Sequence, residues 1–413
     1  MVLKGKRVVS PSSRGEAAAW RRRSVLRIAS TLIAVAGSIW ALQLALESSS
    51  WQPTCYKENI CDGLTFSVAG ELLNEGQTPY LERVRRDHIA RTRGAPPVHD
   101  LPFQYPPHAL PLFALRSVSH PRATHAATAF GTTLIGLLLF SKLVRKRFEC
   151  DLGSAILMTC VSMSPIVAFN AQLGQTGLLA AALVIAITLC WPHSSIATGV
   201  LLGLLSFKPQ YAGPILIVAM ARGDWRIVMA AAGAFMATVV VSGVWFGFGE
   251  WISFAAAVRE PNRTIPWMVN WMGLGWRLAP GEQDLLHKLA LPVFAGATLV
   301  MAAAIRQVRR WTTLEGQLAV VMAWAVLVSP NTHPYDLLVL APALVYVCRP
   351  SRGGVVGAIF FLLTLLTLPA PLRWMLILAL AAFATYCTWV LWREAESPAD
   401  SGWALASTPS TGR

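Results

Sequence analysis

One acidic residue stands at the head of an otherwise apolar segment, "DGLTFSVAGELLNEGQTPY", residues 62–80. Asp62 is followed at helical spacing by Phe66, Ala69 and Leu73, so the carboxylate shares one face of a predicted helix with these apolar side chains. A carboxylate at this position has two explanations. It caps the helix and is favoured by the helix dipole, or it acts as a general base in a partly buried pocket.

Other polar residues recur in apolar surroundings along the chain. They are Tyr80, Gln104, Tyr105, His108, Asn170, Gln172, Gln175, Lys208, Asn331, His333, Tyr335 and Asp336, with Arg259 and Arg263 in a tryptophan-containing segment. Lys208 is the hardest to explain as ordinary structure, because a cation among membrane spans needs a partner or a water-filled cavity. His333 beside Pro334 also fits a plain turn, and Gln175 also fits a helix cap. Together, a carboxylate and several cations suit transfer from a lipid-phosphate donor to a hydroxyl acceptor.

The composition indicates a membrane protein. The chain has 413 residues, of which 54% are hydrophobic and 14% charged, and its mean hydropathy is +0.50. A soluble chain carries about a quarter charged residues. The net charge of +14 does not indicate nucleic-acid binding, because the basic residues lie in short clusters between apolar runs. No metal-ligand spacing, Asp-rich cluster or phosphate-binding glycine loop is visible in the sequence. No cofactor and no metal-ligating residue is predicted, and the sequence does not settle whether the protein uses a metal.

The apolar runs predict an all-α polytopic architecture. A basic tail, residues 1–24, and a C-terminal tail, residues 393–413, are expected to be disordered and cytoplasmic, and to flank a membrane domain at 25–392. Two long external loops are predicted at 47–122 and 248–285. The spans are expected near 25–46, 123–143, 153–170, 176–191, 195–206, 210–221, 226–247, 286–305, 314–329, 334–348, 354–370 and 374–392. The two pieces on either side of "SFKPQ" are each about 12 residues, or about 18 Å, so they predict a broken or re-entrant pair.

The distribution of arginine and lysine predicts an orientation. With the N-terminal tail inside, four of the five short inner connectors carry Arg or Lys clusters, for example "KLVRKRFE" and "RQVRR". The short outer connectors, "NAQLGQT", "SPNTHP" and "PAPLR", carry a single Arg between them. The candidate residues then all lie on the outer side. In the same outer loop, Cys55 and Cys61 either form a disulfide or remain free thiols.

Several of these segments resemble glycosyltransferase family 87, which belongs to the GT-C class of polytopic enzymes. The resemblance covers most of the membrane domain and is carried by "DGLTFSVAGELLNEGQTPY", "FQYPPHALPLF", "NAQLGQTGLLAAALVIA", "GVLLGLLSFKPQYAGPILIV" and "SPNTHPYDLLVLAPAL", in the family's order. Phe66 departs from the family pattern, in which a tyrosine is common at that place.

The resemblance implies a GT-C-type fold with roughly 10–12 spans. It further implies transfer of a hexose, most often mannose, with inversion, from a polyprenyl-phosphate sugar to a hydroxyl of a lipid-linked or glycan acceptor. Asp62 would be the base, and Lys208 and His333, with Arg259 and Arg263 as weaker candidates, would contact the donor phosphate. The substrate pocket would include Tyr80, Gln104, Tyr105, His108, Asn170, Gln175, Asn331 and Tyr335. The expected location is the cell inner membrane, multi-pass, among membrane lipids, with the site on the periplasmic side.

A transporter or lipid flippase is the competing interpretation. About 12 spans would suit one, and Lys208 would suit an intramembrane site. Transporters, however, are often built from internal repeats with polar sites near the midplane. The sequence has no visible repeat, and its polar candidates lie mostly at the predicted outer helix ends.

Overall fold

The computed structural model describes residues 13–47, 62–94, 103–115, 121–148, 152–259, 264–347, 353–365 and 373–396. Within these ranges every regular element is helical. The α-helices are α1 Ser13–Leu46, α2 Asp62–Asn74, α3 Glu82–Arg93, α4 Leu110–Ala114, α5 Pro121–Arg147, α6 Leu152–Ser162, α7 Pro165–Leu173, α8 Gly177–Cys190, α9 Ser195–Leu205, α10 Pro209–Arg222, α11 Trp225–Phe246, α12 Glu250–Ala257, α13 Trp271–Leu278, α14 Gln283–Val308, α15 Leu314–Val328, α16 Ala341–Val347, α17 Gly353–Leu365 and α18 Arg373–Glu396. Short 3₁₀ helices lie at Pro107–Ala109, Ile265–Trp267 and Pro334–Leu340.

Among the described residues, six helical segments are long and apolar enough to cross a membrane. They are Arg27–Leu46, Ala123–Arg147, Leu152–Leu173, Trp225–Phe246, Gln283–Val308 and Trp374–Arg393. Shorter apolar helices, Gly177–Cys190, Ser195–Leu205, Leu314–Val328 and Pro334–Val347, lie between them along the chain. The prediction of an all-α polytopic membrane protein is therefore confirmed. The number of spans, roughly 10–12, stays a prediction, because the shorter helices do not reach the length of a full crossing.

The break predicted at "SFKPQ" is present. Helix α9 ends at Leu205 and α10 begins at Pro209, with Lys208 as its N-cap residue. Proline suits the first helical position because it lacks the N–H that would be unsatisfied there. Helix α9 packs tightly on α11, since a Cβ added to Gly199 or Gly203 would collide with α11 atoms such as the carbonyl oxygens of Ile227 and Ala231. Such small residues allow neighbouring membrane helices to approach closely.

The predicted long loops contain regular structure. The 47–122 segment includes α2, α3 and α4, and the 248–285 segment includes α12 and α13. Helix α1 begins at Ser13, earlier than the predicted first span. The ends of the chain, Arg263 and the cysteine pair Cys55 and Cys61 lie outside the described residues.

Contacts among the described residues identify two groups of connectors and helix ends. The first, which we call the proline-rich face, comprises residues 78–80, 103–108, 170–176, 206–211, 247–254, 264–271 and 329–336. Its members are joined, for example, by the Tyr80 hydroxyl donating to the Tyr105 carbonyl at 2.7 Å and by Gln210 Nε2 donating to the Asn331 carbonyl at 3.2 Å.

The second group, the arginine-rich face, comprises residues 144–148, 191–194, 221–226 and 306–317. Arg222 Nη1 donates to Gln317 Oε1 at 3.0 Å, and Trp191 Nε1 donates to Asp224 Oδ2, also at 3.0 Å. Lys146 pairs with Glu315 at 3.2 Å. The chain thus passes between two polar faces that are separated by apolar helices.

Candidate active site

A buried ion pair lies at the centre of the proline-rich face. Lys208, at the turn between α9 and α10, pairs through Nζ with Asp336 Oδ1, and the two side chains are 4% and 2% exposed. The other carboxylate oxygen, Asp336 Oδ2, accepts from the main-chain N–H of His333 at 3.3 Å. One carboxylate therefore contacts the side chain of Lys208 and the main chain of His333, two candidate residues that lie far apart in the sequence.

The His333 ring is held on several sides. Its Nε2 lies 2.9 Å from Asn331 Oδ1 and 3.4 Å from Thr264 Oγ1. The ring stacks on Tyr335, with centroids 5.1 Å apart and an interplanar angle of 17°. Lys208 Nζ lies 5.5 Å from the centroid of the same tyrosine ring. The ammonium and the imidazole thus lie against one aromatic side chain.

Asn170 joins three elements near this cluster. Its Nδ2 donates to the carbonyls of Ile166 in α7 and Tyr335, at 2.9 and 2.8 Å, and its Oδ1 accepts from the N–H of Leu178 in α8 at 3.0 Å. Gly177 makes this approach possible, because a Cβ there would meet the Tyr335 carbonyl oxygen and lie 2.5 Å from Asn170 Oδ1. Asn170 is thus a buried amide that positions the segment carrying His333.

A wall of aromatic rings connects the cluster to α2. Phe66 contacts Tyr105 and Phe113, at centroid distances of 5.5 and 5.2 Å. The Tyr105 hydroxyl is 2.6 Å from Thr176 Oγ1. Because Phe66 lies four residues after Asp62, the start of α2 is one helical turn from this wall. The structure describes the main chain of Asp62 as the first residue of α2 but does not describe its side chain.

His108 forms the edge of the site beside α12. Its Nε2 is 3.0 Å from Ser206 Oγ, and its ring stacks on Trp251 with centroids 5.9 Å apart. Burial lowers the pKa of His108 from 6.5 to about 4, although the hydrogen bond with Ser206 acts in the opposite direction. His108 is therefore neutral at ordinary pH and suits a hydroxyl group better than a phosphate.

The structure brings most of the sequence-predicted site residues together, but not all of them. Tyr80, Tyr105, His108, Asn170, Gln175, Lys208, Asn331, His333 and Tyr335 belong to the proline-rich face, with Gln175 buried and its N–H bonded to the Asn170 carbonyl. Gln104 is half-buried beside them. Arg259 is exposed at the end of α12, and Arg263 is not described.

Sequence reasoning missed the importance of Asp336, Thr176 and Thr264. Asp336 was visible as a polar residue in "SPNTHPYD", but nothing in the sequence linked it to Lys208, 128 positions away. The two threonines are common in loops and carry no distinctive signal.

An apolar cavity of about 440 Å³ lies among α10, α14, α15 and α18. Its lining extends from Pro214 in α10 and Val328 at the end of α15, a few residues along the chain from Lys208 and Asn331, to Gln307 and Val308 of the arginine-rich face. Trp324 and Thr388, which also line the cavity, satisfy each other through a 3.0 Å bond from Nε1 to Oγ1. The cavity therefore suits hydrocarbon rather than a polar ligand.

The helical fold, the membrane-spanning segments and the enclosed polar cluster define a multi-pass membrane protein with a charged site at its helix ends. Residues 103–330 match the family model for glycosyltransferase family 87. The match covers more than half of the chain, which therefore belongs to glycosyltransferase family 87. No curated protein matches the chain. The matched range contains Lys208, His108 and Asn170, whereas Asp62 and His333 lie beyond its ends.

Membership of this family makes the protein a membrane glycosyltransferase, which moves a sugar from a donor to an acceptor. This assignment favours an enzyme over the transporter interpretation.

Proposed function

We propose that the protein transfers a hexose, with mannose as the first candidate, from a polyprenyl-phosphate sugar to a hydroxyl of a lipid-linked or glycan acceptor. The observation that carries this proposal is the buried cluster of Lys208, Asp336 and His333, which lies at the start of α10 and shortly after the end of α15, two helices that also line an apolar cavity. A donor that is both anionic and lipidic satisfies the two parts at once. A nucleotide sugar would leave the apolar part without a role.

The cluster suits a phosphate leaving group. Charge-assisted hydrogen bonds to phosphate are shorter and stronger than neutral ones. A cation preorganised in a buried site stabilises the charge that develops on the leaving oxygen. In this proposal Lys208 and His333 contact the donor phosphate, and the hydrocarbon chain follows α10 towards the cavity lined by Pro214 and Val328. Arg259 and Arg263 stay weaker candidates for the same contact.

Asp62 is the proposed catalytic base. It would remove the proton from the acceptor hydroxyl as that oxygen attacks the anomeric carbon, and the bond from this carbon to the phosphate oxygen would break. Attack opposite the leaving group inverts the anomeric centre, so a single carboxylate suffices, unlike the paired carboxylates of glycosidases. The packing of Phe66 against Tyr105, one turn from Asp62, supports this placement of the base.

The remaining polar residues would bind the sugar or the acceptor. Tyr80, Gln104, Tyr105, Gln175, Asn331 and Tyr335 are the proposed pocket residues, together with His108. Asn170 is proposed to shape the pocket, because its Nδ2 and Oδ1 atoms already bind Ile166, Tyr335 and Leu178. A neutral His108 can exchange hydrogen bonds with hydroxyl groups.

The proposed location is the inner membrane, with the site facing the periplasm. The basic connectors of the arginine-rich face support a cytoplasmic position for that face. Labelling of Cys61 in intact cells by a membrane-impermeant thiol reagent is expected after reduction, and exclusive labelling from the cytoplasmic side contradicts the orientation.

The test is transfer from defined donors. Membranes holding the parent chain or its Asp62→Asn variant are incubated with labelled polyprenyl-phosphate mannose, polyprenyl-phosphate glucose or GDP-mannose. We expect label from a polyprenyl-phosphate sugar to enter an acceptor with the parent chain only. Transfer directly from GDP-mannose in washed membranes that lack polyprenyl phosphate contradicts the donor assignment.

A further inference from the structure

We propose that Asp336 is a positioning residue for the donor phosphate, holding Lys208 with one carboxylate oxygen and the His333 main chain with the other. This inference rests on the proposed function, because it concerns the two groups assigned there to the phosphate. Asp336 is not itself assigned a contact with the substrate.

The bonding around Asp336 is reciprocal. Its N–H donates to the His333 carbonyl at 2.9 Å, while its Oδ2 accepts from the His333 N–H at 3.3 Å. Two opposed hydrogen bonds fix the turn that starts the Pro334–Leu340 helix. They also fix the position from which the His333 ring stacks on Tyr335.

Lys208 needs a carboxylate where it lies. It is the N-cap residue of α10, where the partial positive charge of the helix dipole disfavours a cation. It is also buried, and burying a charge without a partner is costly. Asp336 supplies the opposite charge that the buried ammonium group requires.

The pairing is compatible with phosphate binding. An ammonium group has three N–H donors, so it can bind a carboxylate and a phosphate at the same time. Asp336 holds Nζ near the Tyr335 ring, against which the His333 ring also lies. The carboxylate thus brings the two proposed phosphate ligands to one place.

A purely structural role is the alternative, in which the pair only fastens the α9–α10 turn to the Pro334–Leu340 helix. Removing both charges separates the two roles, because replacing a buried ion pair with neutral groups is often tolerated by the fold. A structural pair predicts that the double variant Lys208→Met/Asp336→Asn regains both stability and function. A pair that acts on the donor phosphate predicts that this variant regains stability without regaining donor binding. Because Lys208 is lost as well, the role of Asp336 itself is read from Asp336→Asn and Asp336→Glu.

The experiment measures donor binding and folding separately, in the purified full chain in detergent. Binding is read from the rise in unfolding temperature on titration with polyprenyl phosphate, and the donor KM is read from transfer of labelled polyprenyl-phosphate mannose in membranes. The variants are Asp336→Asn, Asp336→Glu and the double variant. Glu315→Gln, which breaks the exposed pair with Lys146 on the arginine-rich face, is the matched control.

We expect Asp336→Asn to weaken polyprenyl-phosphate binding and raise the donor KM by about tenfold or more, since hydrogen bonds to charged groups contribute on this scale. Asp336→Glu is expected to recover part of this loss, and Glu315→Gln to match the parent. If Asp336→Asn does not fold, Asp336→Glu decides, because it keeps Lys208 and the carboxylate charge and displaces only the carboxylate. Parent-like donor binding in folded Asp336→Asn, or in Asp336→Glu where Asp336→Asn does not fold, overturns the inference. Parent-like donor binding in the double variant removes Lys208 from the phosphate site and overturns the inference with it. A parent chain that neither binds polyprenyl phosphate nor uses its sugar overturns the proposed function instead.

Discussion

Each of the two polar faces contains a lysine paired with an acid, and the two pairs differ in burial. On the proline-rich face the side chains of Lys208 and Asp336 are 4% and 2% exposed. On the arginine-rich face those of Lys146 and Glu315 are 46% and 39% exposed. The same chemical groups are therefore buried on one face and open to solvent on the other.

The difference in burial distinguishes two kinds of charged residue. Exposed basic residues are explained by the orientation of the protein in the membrane, whereas a buried ion pair needs another explanation. Exposed ion pairs contribute little to stability, and basic connectors of a membrane protein are accounted for by topology. Burying an ion pair costs the hydration free energy of both ions. The attraction between the two ions offsets this cost only if their geometry is good and additional hydrogen bonds are present. The proline-rich face keeps such a pair beside His333, Asn331 and Tyr335, which is the pattern expected of a functional site.

The largest expected effect comes from Asp62. Asp62→Asn is expected to lower transfer by about 10²–10⁴-fold, because the amide cannot accept the acceptor proton. Folding should change little, since asparagine caps a helix as well as aspartate. Transfer is followed with labelled polyprenyl-phosphate mannose, and folding by the unfolding temperature.

Asp87→Asn on the exposed side of α3 is the matched control for that experiment. Glu71 lies on α2 but does not serve as a neutral control. It accepts from Ser67 at 3.0 Å and pairs with His88 at 2.8 Å, so its substitution loosens α2 from α3. Near-parent transfer by Asp62→Asn would exclude the base assignment.

Removing the lysine of each ion pair tests directly whether the buried pair contributes more to stability than the exposed pair. Lys208→Met is expected to destabilise the protein by about 3–5 kcal/mol, because it leaves the buried Asp336 carboxylate without its cation. Lys146→Met is expected to change stability by at most about 1 kcal/mol. Thermal unfolding of both variants in the same detergent measures the contrast. Equal losses would mean that burial does not distinguish the two faces.

The imidazole of His333 is expected to contribute to donor binding. His333→Ala should raise the KM for a polyprenyl-phosphate sugar by about tenfold, as expected for loss of a charge-assisted contact. His193→Ala, in an exposed connector of the arginine-rich face, should leave that KM unchanged. An unaltered donor KM in His333→Ala would remove His333 from the phosphate site and leave it as a turn residue.

Packing near the cluster is expected to tolerate no added methyl group at Gly177. Gly177→Ala should destabilise the protein by about 1–3 kcal/mol, because the new Cβ would collide with the Tyr335 carbonyl and with Asn170. Gly233→Ala in α11, where a Cβ would have nothing within 4 Å, should be neutral or stabilising by up to about 1 kcal/mol. Unfolding temperatures that fall equally in both variants would contradict the close approach.

The last expected effect is a pH dependence of stability from His108, which is confined to acid pH. Its folded pKa of about 4 lies below the ordinary 6.5, so the unfolded chain binds the proton more readily. The stability due to neutral His108 is therefore fully present above about pH 6.5 and is lost as the pH falls towards about 4. His108→Gln should flatten the acid-side fall of the unfolding temperature. His193→Gln should not, and a parent-like slope in His108→Gln would contradict the buried, neutral state.

Local patterns in the sequence were sufficient for the class of protein and much of its architecture. Apolar runs predict the spans, and proline after Lys208 predicts the break between α9 and α10 because it starts a helix well and continues one poorly. The motifs "FQYPPHALPLF" and "NAQLGQTGLLAAALVIA" lie inside the range that matches the family. Each of these signals depends on residues within a few positions of one another.

Only the tertiary structure decided which polar residues meet. Lys208 binds Asp336 across 128 positions, and Asn170 binds the Tyr335 carbonyl across 165 positions. These residues lie in connectors or at the ends of short helices, where no hydrophobic periodicity indicates which residue will be the partner. Their pairing follows from how the apolar helices pack, as at Gly177, and from the need of each buried polar group for a partner once water is excluded.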